Sequence, residues 1–182
     1  MALQIKRTGF GQVEPNHLAA QTDGQVYAQL PASTAIDILE NGRFVKYDYA
    51  SGEVNTTSAN GEWMLVFNEI KLYDPRQQMY KDYAMKRSDF MDGEIVPRVF
   101  KTSVGDIFTT NTFGPNTSAA ATVAGETLSV GDKVIPAASG STAGYLTKTT
   151  ATTFAVGVPV FQVVKEYNLG DMQPAVKLQR IQ

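Results

Sequence analysis

A short apolar motif with a central glycine recurs along the chain and constrains the fold more than any other feature. It occurs twice in full, at 39–45 and 128–134, and once in part, at 103–108. Each copy is typical of a strand, a tight turn and a second strand, because glycine readily takes the positive φ of a sharp turn and a neighbouring Asp or Asn can hydrogen-bond to the turn backbone. The motif predicts compact barrel or sandwich modules.

Composition narrows the class of protein further. The chain has 182 residues, of which 43% are hydrophobic and only 19% are charged, so we expect it to fold around a substantial core. Its formal charge of −2 gives no general attraction to nucleic acid or to anionic membranes. It contains no cysteine, which excludes disulfides and thiolate metal sites. No apolar leader opens the chain and no run approaches the ~20 residues that span a bilayer, so we expect a soluble protein without a secretion signal.

Strand patterns dominate the chain, and they divide it into three parts. Residues 1–24 are interrupted by Gly and Pro and predict an N-terminal arm; residues 25–113 predict a first β-rich module, and residues 114–182 a second one. Predicted strands lie at 26–30, 43–49, 63–67, 95–100 and 175–180, with a bend near Gly157 and Pro159. The strand at 63–67 follows a predicted hairpin turn, Asn60-Gly61, and is apolar on both faces, so we expect it to be covered on both sides.

One short helix is predicted at 74–87. Asp74 is a suitable N-cap, Pro75 suits the first helical position, and Met79 and Tyr83 form an apolar pair at i, i+4. The predicted fold is therefore mainly β, with small β-barrel or sandwich modules and one short helix.

The turn and strand pattern resembles that of a known group of proteins. The segments at 131–138, 145–148, 155–160 and 176–178 resemble the small β-barrel decoration, or cement, proteins of tailed-bacteriophage heads. The stretches at 38–42, 63–66 and 72–74 also resemble phage virion structural sequence. The resemblance implies a structural protein of the virion that binds the outer capsid surface, has the major capsid protein or other virion subunits as partners, and assembles in the host cytoplasm. The inserted segment at 74–87 departs from the simple pattern.

Motifs for catalysis and cofactor binding are sparse. His17 is the only histidine, no nucleophile motif accompanies it, and no phosphate-binding or dinucleotide loop is present. Carboxylates such as Glu62 could serve a glycosidase only as a pair across a cleft. The acidic turn at 89–94 lacks the ligand spacing of an EF-hand, and the basic stretch at 81–87 is more typical of a solvated surface than of a nucleic-acid site. We therefore predict that the protein is not an enzyme, that it holds no cofactor or metal, and that it binds neither nucleic acid nor a membrane.

Association with other subunits is the expected function, including self-association on assembly. The candidate interface residues are apolar side chains of the arm and of the predicted helix region, namely Leu3, Ile5, Phe10, Met79, Tyr80, Tyr83 and Phe90. The arm either orders against a neighbouring subunit or packs on its own barrel. Two alternatives stay open: a β-rich connector or tail component, and a receptor- or carbohydrate-binding module that uses Trp63, Tyr47, Tyr49 or Tyr145.

Overall fold

Strands account for all the regular secondary structure in the described part of the chain. The computed structural model describes residues 2–17, 30–57, 61–68, 83–86, 96–115 and 122–182. The strands are β1 (Leu3–Thr8), β2 (Val13–His17), β3 (Ile38–Glu40), β4 (Phe44–Asp48), β5 (Glu53–Asn55), β6 (Trp63–Val66), β7 (Ala84–Lys86), β8 (Val99–Phe100), β9 (Ile107–Thr110), β10 (Thr122–Leu128), β11 (Lys133–Pro136), β12 (Leu146–Thr149), β13 (Phe161–Asn168) and β14 (Pro174–Arg180). The prediction of a mainly β fold is confirmed.

The largest sheet is antiparallel throughout and has the order β12-β11-β13-β14-β9-β2. Its centre is the β13–β14 hairpin, which pairs from Phe161 opposite Arg180 to Asn168 opposite Pro174. The predicted closing strand at 175–180 is β14, and the predicted bend is a turn in which Gly157 has a φ of +86° before β13 begins. β2 and β9 bring residues of the predicted arm and of the first module into one sheet with the second module.

Three smaller sheets complete the described fold. β1 pairs with β10, β3 pairs with β7, and a four-stranded sheet has the order β5-β4-β6-β8. β4 therefore lies between β5 and β6, so the predicted hairpin through Asn60-Gly61 is wrong: β6 pairs with β4 and β8 instead. The division at residues 113 and 114 into two modules stays a prediction.

Both faces of the four-stranded sheet are buried, as the sequence predicted for β6. Phe44, Trp63 and Leu65 point into a first core cluster together with Phe108 and Phe161 of the large sheet. The alternate residues Val45, Met64 and Val66 point into a second core cluster, which includes Ile36, Leu39, Val54, Met85 and Val99. Because side chains alternate across a strand, one sheet can separate two cores in this way.

The predicted helix is not shown by the structure. Ala84, Met85 and Lys86 form β7, which pairs with β3, and Met85 is buried in the second core cluster. The pairing of β7 with β3 places Met85 opposite Leu39 and buries it in the core. This tertiary contact outweighs the local sequence pattern that favoured a helix. The rest of 74–87, apart from Tyr83, lies outside the described residues.

The glycine motifs are corners at which the chain passes from one sheet to another. Gly42, Gly105 and Gly131 have φ values of +85°, +99° and +96°, as predicted for sharp turns. The corner at Gly42 leads from β3 to β4, the corner at Gly105 from β8 to β9, and the corner at Gly131 from β10 to β11. In each case the two flanking strands belong to different sheets, so these turns build the layered fold and do not close hairpins.

Candidate functional site

Apolar residues of the N-terminal arm are part of the chain's own core. Ile5 is 1% exposed and Phe10 is 6% exposed, while Leu3 is partly buried against the first core cluster. Ile5 lies in β1, which pairs with β10. The sequence left two possibilities for the arm: ordering against a neighbouring subunit, or packing on its own barrel. In the structure, the arm packs on its own chain.

The candidate interface residues near the predicted helix are mostly outside the described residues. Met79, Tyr80 and Phe90 lie there, as does the acidic turn at 89–94. Tyr83 is described, and it is partly buried against the second core cluster. The structure therefore brings Leu3 and Ile5 together in the first core cluster, and Tyr83 belongs to the other cluster.

A buried ion pair joins the arm to the first glycine corner. Arg7 is 1% exposed and Glu40 is fully buried, and Arg7 Nη1 lies 2.7 Å from Glu40 Oε2. Arg7 also donates hydrogen bonds to the carbonyl oxygens of Gly9 (2.8 Å) and Gly114 (2.7 Å). The backbone N–H of Gly11 donates to Glu40 Oε2 at 2.6 Å. These bonds offset part of the cost of burying two charges, while Arg7 Nε has no hydrogen-bond partner among the described residues.

Tyr145 completes this network on the other side of Glu40. Its hydroxyl donates a hydrogen bond to Glu40 Oε1 at 2.6 Å, so both carboxylate oxygens are used. Burial, and after it the negative charge of Glu40, raise the pKa of Tyr145 above its ordinary value. The hydroxyl therefore stays protonated at neutral pH and acts as a donor.

Sequence reasoning missed this network, although one signal for it was present. In β1, the side chains of Leu3, Ile5 and Arg7 share the inward face by the alternation of a strand. An arginine in register with two core residues indicates a buried cation, which requires an anionic partner. Nothing in the sequence identified Glu40 as that partner, because 33 positions separate the two residues.

The two corners with the sequence Ser-Val-Gly-Asp have the same hydrogen bonds. Asp106 Oδ2 accepts from the Ser103 N–H at 2.7 Å, and the Asp106 N–H donates to the Ser103 carbonyl oxygen at 3.0 Å. The equivalent bonds between Ser129 and Asp132 are 2.8 and 3.0 Å.

Each of these corners is also held to a neighbouring strand. The Gly105 N–H donates to the carbonyl of Arg180 on β14 at 2.9 Å, and the Gly131 N–H donates to the carbonyl of Val163 on β13 at 2.8 Å. The valine between serine and glycine is left in solvent, with Val104 69% and Val130 62% exposed. The fold thus presents two apolar side chains on hydrogen-bonded turns.

Outside the buried network, the pKa values of two side chains are shifted by their local surroundings. The hydrogen bond from Lys148 Nζ to Asp132 Oδ2, 2.6 Å long, lowers the pKa of Asp132, and the Ser129 N–H adds to this effect. Desolvation lowers the pKa of Arg180, whose guanidinium also contacts Thr102 and lies 3.9 Å from Glu62. Neither site assembles the groups of a catalytic centre.

Residues considered for catalysis or metal binding do not converge in the part of the chain that the structure describes. His17 ends β2, and Glu62 forms an exposed ion pair with Lys101 at 3.4 Å. Within the described ranges, no group of three His, Cys, Asp or Glu side chains is arranged to hold a metal ion. Nor does any helix there have the length and apolar character needed to cross a membrane.

The aromatic residues considered for sugar binding are distributed between core and surface. Trp63 is 2% exposed in the first core cluster, so its ring is unavailable to a ligand. Tyr49 is 66% exposed and packs edge-on against Tyr47, with ring centroids 4.2 Å apart. Tyr145 is buried and lines two surface grooves.

Comparison of the chain with protein-family models, with curated proteins and with solved structures finds no match.

Proposed function

We propose that the chain is a non-enzymatic structural protein of a phage virion, which binds the outer capsid surface and stabilises the joints between capsid subunits. The turn and strand patterns that resemble phage decoration proteins support this proposal, and so does the mainly β architecture. A protein of this kind adds binding free energy to the assembled shell, because it binds the assembled subunits and not the free ones.

The observation that carries the proposal is the pair of equivalent corners at Val104 and Val130. Each valine is more than half exposed at the tip of a turn whose backbone makes the three hydrogen bonds described above. A fourth bond comes from the neighbouring strand, where the Arg180 N–H donates to the carbonyl of Asp106 and the Val163 N–H donates to the carbonyl of Asp132. Exposed apolar side chains on preorganised turns gain hydrophobic contact on binding and lose little conformational entropy. Such contacts are weak individually and act together when many copies bind a symmetric lattice.

The buried network supports a structural role for the polar core. Glu40 accepts hydrogen bonds from both Arg7 and Tyr145, and Arg7 also bonds to the backbone inside the fold. The charges of Arg7 and Glu40 hold the arm to the corner at Gly42, and a substrate has no access to Glu40 because this residue is fully buried.

Co-sedimentation with capsids tests this function. Purified protein is mixed with empty capsids from the same source that lack the chain, and bound protein is measured after centrifugation. We expect saturable binding, and we expect the double variant Val104→Ser, Val130→Ser to bind more weakly because the contact is apolar.

The matched control is Val156→Ser. Val156 is fully exposed, at 102%, but it lies in a turn outside the two corners. We expect this variant to bind like the unmodified chain. Absence of binding by the unmodified chain at any concentration would contradict the proposed function.

A further inference from the structure

A polar groove beside Tyr145 contains an oriented arginine that the buried network does not use. The groove has a volume of about 570 Å³, and Arg43 is the one cation among its described lining residues. Hydroxyl and amide groups line it from three segments of the chain, namely Ser33, Asn55, Thr57 and Ser141. Its size falls in the range that holds small-molecule ligands.

The guanidinium of Arg43 is held in place by three contacts. Nε donates to the carbonyl oxygen of Ala143 at 3.2 Å, and Nη1 donates to that of Ile38 at 2.9 Å. The guanidinium carbon lies 4.8 Å from the centroid of the Tyr145 ring. Tyr145 is in turn fixed by its hydrogen bond to Glu40. The side chain is therefore oriented before any ligand arrives, which lowers the entropy cost of binding.

One nitrogen of Arg43 remains available to a ligand. Among the residues that the structure describes, none accepts a hydrogen bond from Nη2, and Arg43 is only half-buried. A guanidinium with a fixed plane and an open N–H edge suits a carboxylate or a phosphate oxygen.

The other lining groups distinguish between these anions. Asp37 also lines the groove, so a phosphate with two negative charges would meet a carboxylate as well as the single cation. A carboxylate has a single negative charge, which the positive charge of Arg43 matches. The hydroxyl and amide groups suit a polyhydroxylated ligand, and the exposed residues Ala35 and Pro115 offer apolar surface to the face of a sugar ring.

We propose that this groove binds a sugar acid, with its carboxylate on Arg43 and its hydroxyls on the surrounding Ser, Asn and Thr side chains. The site is separate from the exposed corner valines and does not depend on the proposed capsid function. It also differs from an aromatic stacking platform, since the ring of Tyr145 is covered by Arg43.

The experiment compares D-glucuronate with its neutral twin D-glucose, using chemical shifts of backbone amides in the intact chain. We expect glucuronate to shift amides of residues 33–38, 55–57 and 140–145, and to bind roughly tenfold more tightly than glucose because of its charged hydrogen bond. Equal binding of the two sugars would overturn the proposal. Acetate or inorganic phosphate binding at these amides as tightly as glucuronate would also overturn it, because the site would then recognise a simple anion.

Two variants assign the binding to the groove. Arg43→Lys removes the planar fork and should weaken glucuronate binding about tenfold. Since Arg43 also holds the backbone of Ile38 and Ala143, Thr57→Trp provides a second test: Thr57 is exposed and lines the groove, so we expect an indole at this position to occupy the groove. Thr153→Trp, exposed and outside the groove, is the control and should bind normally. Normal glucuronate binding by folded Thr57→Trp would overturn the assignment.

Discussion

At the scale of single residues, the buried ion pair of Arg7 and Glu40 leads to a prediction about stability. Glu40→Gln keeps the size of the side chain but removes its negative charge, so the buried guanidinium of Arg7 loses the carboxylate with which it forms an ion pair. We expect the free energy of unfolding to fall by about 3–5 kcal/mol, as when one partner of a buried pair is removed. Denaturant titration measures this loss.

The control for this substitution is Glu62→Gln. Glu62 lies 3.4 Å from Lys101 and 3.9 Å from Arg180, but Glu62 and Lys101 are both more than a third exposed, so the change should cost at most about 1 kcal/mol. Equal stability of Glu40→Gln and the unmodified chain would mean that the buried pair makes no net contribution.

The glycine corners provide a second residue-scale prediction. Gly131 has a φ of +96°, and a methyl group added to its Cα would meet only open space, so Gly131→Ala tests backbone conformation alone. We expect a loss of about 1–2 kcal/mol from forcing alanine into the left-handed region. Gly170 has the same open surroundings without a positive φ, so Gly170→Ala should be neutral or slightly stabilising. Equal effects at the two positions would contradict the role of Gly131 as a corner.

The pair Lys148 and Asp132 makes stability depend on pH. Because Lys148 lowers the pKa of Asp132 in the folded state, the pair stabilises the fold above the unfolded pKa of Asp and loses this effect as pH falls through the folded pKa. Lys148→Met should therefore lower stability near pH 7, by at most about 1 kcal/mol for so exposed a pair, and the difference from the unmodified chain should shrink as the pH falls from about 7 toward about 2. A difference that stays constant between these pH values would refute this linkage.

At the scale of elements, the N-terminal arm is an integral part of the sheets. In β1, Ile5 lies in the first core cluster and the adjacent Lys6 faces solvent. Ile5→Asp places a charge in that core and should prevent cooperative unfolding at neutral pH, whereas Lys6→Asp should leave the unfolding transition nearly unchanged. Thermal unfolding, monitored by circular dichroism, distinguishes the two variants. An intact transition in Ile5→Asp would mean that the arm does not stabilise the isolated chain.

The strands and turns also show which features of the fold can be predicted from local sequence patterns. Periodicity and turn chemistry predicted the two-sided burial of β6, the three corners and the closing strand β14, because each depends on residues close together in sequence. The pairing of β1 with β10 and the salt bridge from Arg7 to Glu40 depend on residues far apart, and no local pattern encodes them. The same limitation explains the error at Ala84–Lys86, where pairing with β3 determines the structure.

At the scale of the whole molecule, the described sheets form a layered β structure in which the arm, both predicted modules and the polar network are linked. The four-stranded sheet lies between two core clusters, and the corners that connect sheets hold Val104 and Val130 in solvent. These exposed valines are the contacts that we propose for binding across joints between subunits. The sugar-acid groove would give such a protein a second, independent binding function.

The measurement that tests the central claim most directly is the thermal stability of capsids with and without the purified chain. Empty capsids from the same source are heated with increasing amounts of protein, and shell disassembly is followed by light scattering. A protein that binds only the assembled shell must raise the disassembly temperature in a saturable manner, and we predict this result. A disassembly temperature that stays the same at saturating protein would contradict the proposed role as a capsid-stabilising protein.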